Sequence, residues 1–158
     1  MCSHCIINQL AVVKGEKRAA GAFPFVKILI DKGIGIIQMP CPEMNELGPD
    51  RLPMSYEDYN QIQGYRERCQ IWLSPIFKQI QQYLAQGDHF IGIIGIHQSP
   101  NCSISNQRGV YMEIIFEWLK TQGLEVPFIE VPTDYCEGDE GKFSNEIEAF
   151  IKGGKNEK

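Results

Sequence analysis

The sequence predicts an α/β fold, a Rossmann-like open and mostly parallel sheet with helices on both faces. Two near-continuous apolar runs, at 34–39 and 90–96, carry that expectation. Unbroken rather than alternating hydrophobicity marks strands covered on both faces, the usual setting of a parallel sheet. A third candidate strand lies at 126–131, between Gly123 and Pro132. Helical patterns fill the intervals, so strand alternates with helix and the connections are crossovers.

The elements follow in order. Phe23, Val26, Lys27 and Ile30 recur at helical spacing and stop at Gly33, a natural C-terminal glycine. Tyr65, Cys69, Trp72, Leu73, Ile76, Ile80, Tyr83 and Leu84 form a longer stripe ending near Gly87, in which Pro75 predicts a kink or a break into two helices. Met112, Ile115, Phe116 and Leu119 repeat the pattern before Gly123. A last helix is expected from Ser144, read as its N-cap, to Ile151. Residues 44–63, rich in Pro, Asp, Asn and Tyr, read as a long connection inserted over one edge. The expected organisation is one domain over 1–152 and a flexible tail at 153–158.

A chain of 158 residues can bury a substantial core. Its 43% hydrophobic and 22% charged residues exclude global disorder. Fifteen Lys and Arg against twenty Asp and Glu, with no basic block, argue against a nucleic-acid groove. No run approaches the roughly 18–20 apolar residues of a membrane span. Residues 1–8 lack the charged and apolar regions of a secretory signal. The expectation is a cytoplasmic chain with neither nucleic acid nor membrane as partner.

Cysteine is the unusual component, with residues at 2, 5, 41, 69, 102 and 136. A domain of this size needs no disulfide staples. In a reducing compartment such cysteines are metal ligands, redox groups or buried apolar residues. Ligands of open parallel sheets bind beyond the carboxyl ends of the strands. Cys41 follows the first apolar run, in Met39-Pro40-Cys41-Pro42-Glu43, and Cys102 follows the second, in Ser99-Pro100-Asn101-Cys102. Cys5 precedes the first helical region, so three cysteines are expected on one rim. Cys69 reads as core, within a helical stripe, and Cys136 as an exposed thiol in an acidic loop. Cys2 and Cys5 form a lone Cys-x-x-Cys with neither a preceding strand nor a second such pair, so it is a weak signal.

Thiolates favour zinc, copper(I) or iron–sulfur clusters. Three of them leave one position open. That suits a catalytic zinc with His4 or His97 as fourth ligand, or a cubane cluster with one free iron. His89 reads as a surface residue.

Five segments in order give the chain a family likeness. They are Ser3-His4-Cys5-Ile6-Ile7-Asn8, Gly21-Ala22-Phe23-Pro24, the stretch from Gly35 to Glu43, Ile94-Gly95-Ile96 with Ser99-Pro100-Asn101-Cys102, and Arg108-Gly109-Val110-Tyr111-Met112-Glu113. Over Ser3 to about Val131 the chain resembles the thiouracil desulfurase-related family of desulfidases. The resemblance implies a [4Fe–4S] cluster on Cys5, Cys41 and Cys102, with Glu43 as acid/base carboxylate and Ser99 as a catalytic serine. It implies hydrolytic replacement of the sulfur of a thiolated small molecule, such as a thio-nucleobase, by oxygen. Glu113 reads first as support for the positive end of a helix. Family members carry a hydrophobic strand before Ser-His-Cys, whereas here Met1 and Cys2 alone precede Ser3, so the first strand is expected to be truncated. Asn101 and Ser103 stand where the family favours a small residue and glycine, so the Cys102 loop is expected to differ in shape. Two other classes remain: a non-enzymatic module that binds sulfur or a cluster, and a zinc or thiol-redox protein.

Overall fold

The computed structural model describes residues 1–139 and 141–156, the last two by backbone alone. Among the described residues the helices are α1 (His4–Ile7), α2 (Val26–Asp31), α3 (Pro42–Leu47), α4 (Tyr56–Gln61), α5 (Tyr65–Ala85), α6 (Val110–Thr121) and α7 (Ser144–Asn156). The strands are β1 (Ile93–Ile96) and β2 (Phe128–Val131). The two strands pair in parallel, Ile93 opposite Phe128 and Ile96 opposite Val131, and α6 makes the crossover between them. Successive strand residues point to opposite faces. Ile93 accordingly joins the apolar cluster of Leu73 from α5 and Ile115 from α6, and Ile94 joins that of Leu29 from α2 and Ile147 from α7. The chain is an α/β protein with a small parallel sheet between two apolar clusters.

The truncated first strand is present as two residues. Cys2 forms parallel bridges to Gln38 on one side and Ile94 on the other. The Cys2 N–H donates to the Ile37 carbonyl at 2.9 Å, and the Ile94 N–H donates to the Met1 carbonyl at 3.0 Å. Met1 and Cys2 therefore lie in the middle of the sheet, between 37–39 and β1.

The two expected strands are less regular than their composition implies. The run at 34–39 forms one bridge, at Gln38, and β1 starts at Ile93 rather than at residue 90. Extended backbone becomes a strand only when a neighbour takes its N–H and C=O groups. A cavity of about 710 Å³ lies beside these runs, lined by Ile34, Ile36, Ile91, Tyr83 and Phe150 among others. The Met1 ammonium donates to the Gly92 carbonyl at 3.0 Å. Burial lowers its pKa to about 6, against a smaller opposing effect of Cys2.

Three further expectations are corrected. Helix α5 runs unbroken through Pro75. The carbonyl that loses its donor belongs to Ile71, which is 67% exposed, so water can serve it. The connection at 44–63 holds α3 and α4, the latter started by a Ser55–Asp58 capping box. Helix α7 begins at Ser144 itself and continues through Asn156, so residues 153–156 of the expected tail are helical. Residues 157–158 of that tail lie outside the described residues. Among the described residues, no helix is long and apolar enough to cross a membrane.

Candidate functional site

Each of the three rim cysteines is fixed by a different local device. Cys41 caps α3, its Sγ accepting the Met44 N–H at 3.4 Å, with Pro42 pre-set for the first helical turn. Cys5 sits in α1, which starts immediately after the Ser3 N–H donates to the Ile94 carbonyl at 3.1 Å. The Cys5 carbonyl in turn accepts from Gln9 Nε2 at 2.7 Å. Cys102 lies in the loop after β1. Ser99 Oγ accepts the amides of Cys102 at 3.0 Å and Asn101 at 3.4 Å, tightening the turn.

That loop folds back on its own strand, the Ile96 N–H donating to the Cys102 carbonyl at 3.0 Å. Two glycines permit the approach. A Cβ on Gly95 would stand 2.7 Å from the Cys102 carbonyl oxygen, and one on Gly109 would stand 2.4 Å from the Asn101 carbonyl carbon.

The three thiols share one electrostatic environment. Burial pushes Cys5 up to about 12, and the charges of Cys41 and Glu43 add to the rise. Burial also raises Cys102 well above the usual thiol range, with Cys5, Cys41 and Glu43 adding to it and the Ser3 hydroxyl acting against it. Cys41 is raised by burial too, partly offset by the Met44 amide. Cys5, Cys41, Cys102 and Glu43 thus lie within one another's electrostatic reach. Three thiols that oppose one another's ionisation gain most from a cationic group that takes them as thiolates.

Glu43 is held from several sides. Arg51, its side chain 2% exposed, places Nη2 at 3.2 Å and Nε at 3.3 Å from Glu43 Oε2. The same guanidinium donates to the carbonyls of Ala11 at 2.6 Å and Gly48 at 3.2 Å. Asn101 Nδ2 donates to Glu43 Oε1 at 3.3 Å, and Tyr65 donates its hydroxyl to Asn101 Oδ1 at 2.8 Å. A partly buried carboxylate beside a buried guanidinium, with both of its oxygens accepting hydrogen bonds, is fixed in position.

Ser99 is separated from this cluster. With Pro100 and Ser103 it lines a cavity of about 410 Å³, which His97, Ser105 and Tyr56 also border. None of the three rim cysteines lines that cavity. The histidines are otherwise occupied. His4 Nδ1 lies 3.0 Å from the Met39 carbonyl oxygen, and His97 Nδ1 lies 3.5 Å from Glu130. Among the described residues, no three His, Cys, Asp or Glu side chains are grouped to hold a single metal ion. Cys69 is fully buried in the core, and Cys136 is exposed. Glu113 stands in the first turn of α6, where it pairs with Arg66 at 2.8 Å and accepts the Tyr56 hydroxyl at 2.8 Å.

Sequence reasoning missed several residues of the site. Arg51 lacked any motif of its own, although an arginine between the prolines of Gly-Pro-Asp-Arg-Leu-Pro was a signal, and Asn101 was read only as part of the Cys102 loop. Glu130, on β2, accepts the Ile104 N–H at 2.6 Å, Ser103 Oγ at 3.1 Å and both donors of Ser105. Burial would raise its pKa, but these bonds outweigh burial and hold it below the usual carboxylate range. Glu130 therefore anchors the far side of the Cys102 loop.

The chain is 42% identical over 151 residues to a protein of Methanocaldococcus jannaschii described as uncharacterized protein MJ0003, covering 95% of this chain and 94% of that one. The chain belongs to the same family as this archaeal protein. At that identity, with nearly all of both chains aligned, the two share a fold. No family model matches the chain, and no solved structure does.

Proposed function

We propose that the protein is an iron–sulfur-dependent desulfidase of a Rossmann-like fold. In this reading Cys5, Cys41 and Cys102 hold a [4Fe–4S] cluster, and the substrate is a thiolated small molecule such as a thio-nucleobase. The observation that carries the proposal is that three thiols, from α1, the N-cap of α3 and the loop after β1, share one electrostatic environment with a fixed carboxylate at the carboxyl end of a parallel sheet. The donor set fits the group: all-sulfur ligation suits iron–sulfur clusters, and a cubane takes its cysteines at separate iron corners rather than around one ion. Thiols of this kind keep their function in a reducing compartment, so the reading is of a cytoplasmic protein.

When bound, the cluster supplies a Lewis-acidic iron without a protein ligand. The chain's own residues supply position and proton transfer. Arg51 and Asn101 fix Glu43, whose carboxylate takes a proton from the water that attacks the thiocarbonyl carbon. A C–O bond forms, the C–S bond breaks, and the sulfur departs as sulfide. Ser99 Oγ accepts two amides, which leaves its own proton directed away from them as a donor to a polar substrate.

Anaerobic reconstitution with iron and sulfide tests the reading. It should load about four irons per chain and produce broad visible absorption. Cys41→Ala or Cys102→Ala binding as much iron as the parent would overturn it. Glu43→Gln should keep the cluster and lose turnover of a thiolated base. Loss of neither, or no turnover by the loaded parent, would instead favour a non-enzymatic sulfur carrier.

A further inference from the structure

Two fully buried hydroxyls, those of Ser3 and Tyr111, make no hydrogen bond of good geometry, although that of Ser3 lies near the Cys102 thiol. Buried hydroxyls are paired as a rule, because an unmade hydrogen bond forfeits hydration without compensation. Neither residue is free to move away. The first turn of α6 is clamped to the Cys102 loop by three bonds: Gly109 N–H to the Ser103 carbonyl at 2.9 Å, Val110 to Pro100 at 3.0 Å, and Met112 to Asn101 at 3.1 Å. These fix Tyr111, whose ring packs in the core with Cys102 while its hydroxyl lies in the field of Cys69, Cys102 and Cys41. Ser3 occupies the N-cap position of α1, where a serine ordinarily accepts a backbone N–H, yet its side chain makes no capping bond. It faces Cys102 instead.

Phenylalanine would fill the space of Tyr111, and alanine nearly that of Ser3, without an orphaned polar atom. We infer that the Tyr111 and Ser3 hydroxyls are positioning donors, directed at the sulfur atoms of the group held by Cys5, Cys41 and Cys102. This inference rests on the cluster reading above. Sulfur, whether thiolate or cluster sulfide, accepts such bonds, and each one stabilises the more reduced state of an iron–sulfur centre. Tyr111 stands on α6 and Ser3 just after the central stub of the sheet, so the two hydroxyls come from different elements.

The test compares the full-length parent with Tyr111→Phe, Ser3→Ala and the double variant, each before and after anaerobic loading. Before loading, Tyr111→Phe should melt at the parent's temperature or above it, since the hydroxyl lost there has no partner. After loading, every variant should hold the parent's iron content. The reduction potential, followed by the EPR signal of the reduced centre, should fall for each single variant and further for the double. Unchanged potentials at full iron content overturn this inference and leave the cluster reading intact. A lower melting temperature for unloaded Tyr111→Phe also overturns it, by revealing a structural partner for the hydroxyl. A parent that takes up no iron defeats the cluster reading itself, and this inference with it.

Discussion

The two ends of the same parallel strands are built in opposite ways. At the carboxyl end the chain is tied down: three segments carry Cys5, Cys41 and Cys102, and Arg51, Asn101, Ser99 and Glu130 spend their polar groups on holding those segments. At the amino end the runs at 34–37 and 90–92 line a cavity of about 710 Å³, with Met1 and Cys2 beside it. One end has more hydrogen-bonding constraint than folding needs, and the other has less than its apolar sequence invites. Precision is concentrated where the cysteines meet, as expected of a preorganised site on a rigid scaffold.

That contrast is sharpest at Arg51. Replacing it with alanine leaves Glu43 partly buried without its cation, and the loss should be about 3–5 kcal/mol in urea unfolding. Combining Arg51→Ala with Glu43→Gln should recover much of that loss. An Arg51→Ala protein as stable as the parent would remove the claim that this rim is held by its ion pair. Gly109→Ala comes next. Its methyl group meets the Asn101 carbonyl, so it should cost about 1–3 kcal/mol and reduce iron uptake together.

Alkaline pH compares the two ends directly in the unloaded protein. Burial pushes Cys2, at the amino end, up to about 11, and pushes Cys5, at the rim, up to about 12. In the unfolded chain both ionise near the ordinary value of about 8.5. The unfolded state thus loses protons first, and their contribution to stability is intact below that value and declines as pH rises above it. Each thiol adds up to about 1.4 kcal/mol per pH unit to the decline. Cys2→Ala and Cys5→Ala should each flatten a plot of stability against pH, between pH 9 and 11, by one thiol's share. An unchanged slope would show that the thiol is not held protonated. The smallest expected effect is at the open end. Gly35 has no positive φ and no atom near its absent Cβ, so Gly35→Ala should gain about 0.4–1 kcal/mol. Iron uptake should be unaffected, and a change in it would show that the two ends are coupled.

The elements most legible in the sequence were those whose pattern is local. The stripe from Tyr65 to Leu84 and that from Met112 to Leu119 are α5 and α6, because helical spacing is read within one segment. The strand runs were harder, since their ladder depends on a neighbour that composition does not reveal. At the site, Cys41 and Cys102 were visible as loop cysteines after apolar runs. The residues that hold them were not: Arg51 reaches Glu43 across a loop that looked like a simple insertion, and Glu130 acts from β2 on a loop more than twenty residues earlier. Asn101, expected only as a departure in loop shape, links Glu43 to Tyr65.

By itself the sequence determined the class of fold, the helix-forming segments and the three cysteines expected to share a rim. Each follows from residue type and short spacing, which act along the chain. The tertiary structure alone decided that Met1 and Cys2 occupy the centre of the sheet, that Ser99 lines a cavity that none of the three rim cysteines lines, and that Tyr111 and Ser3 bury their hydroxyls. These depend on which segments become neighbours, and that choice is made by long-range packing and backbone hydrogen bonding rather than by any local pattern.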